Sequence, residues 1–186
     1  NLLNRSTPQE VKAVMGHELG HYVLGHVWRL LPAFAGLVGL GFLFLWFAAP
    51  RVVRKFGRNW EIRELPGPDD DEKTWPPRPK RPDPSDPAMT PVYYLLFSLY
   101  LLALTPVVNS LVRNQESQAD AFGLDAAREP DGFASIAMKL SEYRKIEPTP
   151  LEEAVFFDHP SGRTRVRMAM DWKAKHLGEG MPDKPE

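Results

Sequence analysis

Polar and apolar positions along the chain fall into blocks rather than one repeating pattern. Residues 30–50 carry no charge and are closed by Arg29 and Arg51; residues 87–112 carry none and end at Arg113. About 20 such residues cross a bilayer as a helix, so both blocks predict transmembrane spans. Trp46, Tyr93 and Tyr94 lie near the block ends, where amphipathic rings favour the interface. Two buried core helices are the alternative, but the polar remainder is too small to wrap two helices that are apolar all round. Between the blocks, nine prolines from Pro66 to Pro91 alternate with the acidic run 69–72 and the pair Lys80-Arg81. Such a stretch predicts an extended, largely disordered loop, with no sustained helix or strand ladder.

The first block is preceded by a helix with a defined start. Thr7 suits the N-cap, Pro8 the first helical position, and Glu10 completes a capping box. From there the pattern predicts one helix running into the first span, with Pro32 able to kink the join. Beyond the second block, Asp131 is expected to start a helix carrying Phe133, Ile136, Ala137, Leu140 and Tyr143. Another is expected from Ser161 through Val166, Ala169, Met170 and Trp172 to Gly178. The fold class is therefore all-α, a helix feeding a two-span membrane hairpin and a small helical cap.

Composition then narrows the chemistry. The 186 residues are 43% hydrophobic and 25% charged with a net charge of −1, which leaves no basic footprint for nucleic acid. Cysteine is absent, which removes disulfides, thiolate metal sites and cysteine nucleophiles. The chain starts at Asn1 without an initiator Met and is expected to be a piece of a longer protein.

His17-Glu18-Leu19-Gly20-His21 lies on the first helix. Histidines at i and i+4 share one helical face and can reach a single ion, while Glu18 is displaced to where it can touch a water there. That is the arrangement of zinc peptidases, with His17 and His21 as ligands of one Zn2+ ion and Glu18 as general base. A third protein ligand is expected. His26 lies five residues after His21, around the helix, and reads as a surface or interfacial residue. Glu116 is the better candidate, because a second span returns it to the membrane face that the first span left. Asp120, one turn further, is placed to accept the outer N–H of a ligand histidine. His159 stands on the corner before Pro160, from which a donor could reach a developing oxyanion, or it is a plain loop histidine. His176 reads as structural.

HELGH entering a span, a second span, RNQESQADAF from Arg113, then Asp158-His159-Pro160 and Arg165 together resemble the integral-membrane gluzincin peptidases. These are the type I CAAX prenyl proteases and their bacterial relatives, the heat-shock membrane proteases. The resemblance implies His17, His21 and Glu116 on zinc, Glu18 as base, His159 on the substrate or tetrahedral intermediate, and Arg165 in support. It implies peptide or protein substrates, prenylated or membrane-bound, and further spans upstream. The expected organisation is a zinc-binding helix over 1–29, spans over 30–50 and 92–112, a proline-rich loop over 51–91, a ligand-bearing segment and cap over 113–178, and a frayed tail over 179–186. A quality-control protease of the same chemistry and a non-catalytic zinc scaffold are the rival readings; an intact Glu18 argues against the scaffold. Orientation is contested. Nine basic residues from Arg51 to Arg81 lie on the loop, against Arg29 and Arg113 on the zinc side, so the positive-inside rule puts the loop in the cytosol. The resemblance implies the reverse, a cytosolic site, and missing upstream spans favour it.

Overall fold

A computed structural model describes residues 5–65, 81–141 and 145–177. Two compact units divide the chain, one of residues 1–32 with 105–186 and one of residues 33–104. Helix α1 (Pro8–Val23) starts as the sequence predicts. Thr7 N–H donates to Glu10 Oε2 at 2.8 Å and Glu10 N–H to Thr7 Oγ1 at 3.3 Å, closing the capping box. It does not run on into the first span. Gly25 adopts φ +65°, a backbone that glycine tolerates, and α2 (His26–Phe56) starts at the next residue. The break is therefore at Gly25, and Pro32 lies inside α2 without ending it.

In the unit of residues 33–104, α2 continues past Arg51 to Phe56, and a short 3-10 turn (Pro87–Met89) leads into α3 (Thr90–Ala127). Ala49, Val53, Met89, Val92 and Leu96 form its buried cluster. The Tyr100 hydroxyl donates to Leu37 O, and its ring lies against Gly41, where a Cβ would come within 2.9 Å. Outward faces stay apolar and open, with Trp46 71% and Tyr94 77% exposed. Both helices are long and apolar enough to cross a membrane.

The proline-rich loop departs from expectation at its described ends. Strands β1 (Glu64–Leu65) and β2 (Arg81–Pro82) pair antiparallel, Glu64 opposite Pro82 and Leu65 opposite Arg81. Side chains explain why prolines do not prevent this. Arg63 pairs with Asp83 at 2.8 Å and its N–H donates to Asp86 Oδ2 at 2.6 Å, while Asp86 also caps the 3-10 turn. Proline lacks a donor but is accommodated in a sheet that is all edge. The expectation of disorder over 66–80 and of a frayed tail after Gly178 falls outside the described residues.

The other unit is helical. Helices α4 (Pro130–Leu140), α5 (Pro150–Phe156) and α6 (Gly162–Lys175) follow the end of α3. The α4 and α6 helices were expected; Tyr143 lies outside the described residues. The α5 helix was not, although Thr149, Pro150 and Glu152 repeat the start signal of α1 and form the same capping box. Ala13, Leu124, Phe133, Ala137 and Ala169 make the core. Glu10, fully buried, ties α1 to α4 through Lys139 Nζ at 2.7 Å and the Ser135 hydroxyl.

Candidate metal centre and cleft

The site is built where α1 crosses the last turns of α3. Small residues make the crossing close: a Cβ on Gly16 would lie 2.9 Å from Gly123 O, and one on Gly20 3.1 Å from Ala119 Cα. Backbones that near let short side chains of both helices meet. His17 Nε2 lies 3.3 Å from Glu116 Oε2 and His21 Nε2 3.5 Å from Glu116 Oε1, with the two ring nitrogens 3.0 Å apart. The three candidate donor atoms all lie within 4.8 Å of one another. The structure thus brings Glu116 to His17 and His21, which lie about a hundred residues before it in the sequence.

Outer contacts fix the rings. Asp120, fully buried, lies 2.7 Å from His17 Nδ1 and accepts from Arg165 Nε at 2.9 Å and Nη2 at 2.6 Å. Arg165 also covers the Phe133 ring at 5.1 Å. Burial pushes the His17 ring towards the neutral form, but the carboxylates of Asp120 and Glu116 beside it outweigh that and raise its pKa to about 9. The same carboxylates that hold a proton there favour a cation in its place.

These residues fit a metal ion. Glu116 Oε2 is buried beside His17 and His159 yet receives no aligned hydrogen bond among the described residues, which strands a carboxylate oxygen unless a cation meets it. Two imidazoles and one carboxylate are the donor set of a catalytic zinc, with a position left open.

His159 stands over the site, Nε2 3.2 Å from Glu116 Oε2 and Nδ1 3.0 Å from Asp158 Oδ1. Its corner is fastened to α3 by two side chains. Arg113 donates to the carbonyls of Glu153 and Phe157, and Asn109 Nδ2 to Val155 O at 2.7 Å, satisfying backbone acceptors at the end of α5. The sequence marks Arg113 as a flanking charge and the start of RNQESQADAF, and carries no sign of this fastening. A cleft of about 290 Å³ runs beside His17 and Glu18, floored by Val14, Phe133 and Ile136, and reaches His159 and Arg165. Glu18 is exposed on its rim.

His26 is the residue that sequence reasoning misplaced. It is 2% exposed, not a surface or interfacial group, because the turn at Gly25 folds it back to within 2.8 Å of His21 Nδ1. His176 is structural as expected, bonded to Trp172 O and stacked on the Trp172 ring.

Helices that bring two imidazoles and a carboxylate together offer the donor set of a metallopeptidase. A model of Peptidase family M48 matches residues 1–173, and the chain belongs to that family. It is similar to a Bacillus subtilis (strain 168) protein named "Uncharacterized metalloprotease YhfN", 26% identical over 169 residues. That match covers 90% of this chain and 35% of the relative, so the chain spans about a third of the relative's length.

Proposed function

We propose that the chain is the catalytic part of a zinc-dependent membrane metalloendopeptidase. The observation that carries this is the return of Glu116 to both imidazoles of the His-Glu-x-x-His helix. His17, His21 and Glu116 would hold the zinc, which when bound would supply a Lewis acid for peptide hydrolysis. Glu18, on the rim of the cleft, takes a proton from the attacking water as its oxygen bonds to the scissile carbonyl carbon. It then delivers the proton to the amine as the C–N bond breaks. His159 donates to the developing oxyanion from its fastened corner. Arg165 acts through Asp120, holding the carboxylate that orients His17.

Zinc content and peptide cleavage by the full-length protein test this, with and without a chelator. Cleavage should stop on chelation and return with zinc. Zinc that stays bound after His17→Ala and His21→Ala together would overturn it. For substrate, the stretch 114–122 resembles the prenyl protease branch and favours prenylated peptides. A farnesylated CAAX peptide set against a misfolded membrane protein separates this from quality control. The two apolar helices are read as spans of a multi-pass protein, with the site and α6 facing the cytosol. Protease added outside spheroplasts should cut the loop and spare the C-terminal tail; the opposite pattern overturns that orientation.

A further inference from the structure

The outer nitrogen of His21 has a partner that the His-Glu-x-x-His pattern does not account for. His26 Nδ1 lies 2.8 Å from His21 Nδ1, with the rings edge to face at 4.9 Å between centroids. On an unbroken helix at about 100° per residue, His26 would stand about 140° around the axis from His21. The positive φ of Gly25 removes that separation and seats the ring in a buried position. The contact repeats, on the second imidazole, what Asp120 does for the first. His21 Nε2 is turned to Glu116 and to His17 Nε2, so a ring that ligates through Nε2 carries its proton on Nδ1. In that arrangement His26 Nδ1 is the acceptor of the proton, and the proton of the His26 ring sits on Nε2, which is buried without an aligned partner among the described residues.

The geometry points to His26 as a positioning residue for His21, fixing the tautomer and ring plane that present a bare Nε2 to the ion. It acts through His21 and has no contact with substrate in this role. The inference rests on the reading of His17, His21 and Glu116 as zinc ligands.

Zinc affinity of the full-length protein, measured by competition with a chromophoric chelator, tests it alongside the visible spectrum of the Co(II)-loaded form and the thermal midpoint. His26→Leu removes the acceptor and should weaken zinc binding about 10–100-fold, with a changed Co(II) spectrum. His26→Asn keeps an acceptor oxygen near the Nδ1 position and should recover most of the loss. Gly25→Ala meets no atom of the described residues within 4 Å but disfavours the positive φ, and should weaken zinc in the same direction. Wild-type affinity and spectrum in His26→Leu would overturn the inference. So would equal losses in the Leu and Asn variants that follow the thermal midpoint, which would mean packing alone. A wild-type protein that binds no zinc fails at the earlier step and removes the ligand reading itself.

Discussion

Gly123→Ala probes whether the site depends on the closeness of the α1–α3 crossing. A Cβ there would lie 2.8 Å from His17 N and 3.1 Å from both Gly16 C and His17 Cα. All three are backbone atoms, so no side chain can swing aside. Ordinary contact begins at 3.4 Å, and α1 must therefore withdraw by about 0.6 Å. Overpacking of this kind costs about 1–3 kcal/mol, while alanine in place of glycine inside a helix returns about 1 kcal/mol. Net stability should fall by only about 1 kcal/mol. The site should suffer more, because the displaced backbone is that of His17 itself, and Glu116 stays on α3. A shift of about 0.6 Å exceeds the ~0.5 Å that preorganised sites tolerate, and should cost roughly tenfold in kcat/KM with weaker zinc binding. Peptide hydrolysis, zinc titration and thermal melting in detergent read the three quantities separately. Gly36→Ala is the control: its Cβ meets nothing among the described residues within 4 Å, so activity should match the wild type. Gly123→Ala with zinc affinity and kcat/KM both within twofold of wild type would refute the reasoning.

Glu18→Gln should keep full zinc content and lower kcat about 10²–10⁴-fold, measured by metal analysis and peptide turnover; loss of zinc would deny Glu18 a purely proton-moving role. Asp120→Asn should weaken zinc about 10–100-fold, since Asp120 orients His17 and is itself held by Arg165. Glu10→Gln tests the pH dependence of the α1–α4 tie. Burial pushes the Glu10 carboxyl up, but Lys139, Ser135 and the Thr7 N–H outweigh it and hold its pKa at about 2, below the ordinary 4.5. A carboxyl lowered on folding stabilises the protein above its unfolded pKa and stops doing so as pH falls through the folded one. The variant should therefore lose about 2 kcal/mol at neutral pH, and its deficit in thermal midpoint should shrink from pH 4.5 towards pH 2. A deficit that stays constant across that range would count against the assignment.

Much of the site was legible because local rules and one long-range argument agreed. Thr7, Pro8 and Glu10 marked the helix start, and the i, i+4 histidines put two ligand candidates on one face. Glu116 was reached by reasoning that a second apolar block brings the chain back towards the zinc-motif helix, and the resemblance carried by RNQESQADAF implied the same residue. What escaped notice depended on backbone turns or on partners distant in sequence. His26 was assigned by helical arithmetic that holds only while the helix continues, and a glycine four residues after His21 was a weak sign that it ends there. The α5 helix is only seven residues long, too short for apolar periodicity to register, and its capping signal alone announced it. Proline counting overstated the loop's lack of order at its ends, where Asp83 and Asp86 hold Arg63 by contacts no propensity contains.

Asn109, Arg113, Glu116 and Asp120 stand at spacings of four, three and four on α3, and so form one polar line along that helix. Along it lie the fasteners of the His159 corner, a candidate ligand and the carboxylate that orients His17. A helix turns as a rod. At a side-chain reach of about 6 Å, a rotation of about 20° sweeps every tip sideways by about 2 Å, several times the tolerance of a metal site. A rotation of the helix therefore carries all four away from their partners together. Amides around these four positions should exchange with solvent at a common opening free energy, as one cooperative unit, and a disturbance anywhere along the line should be felt by the whole assembly at once.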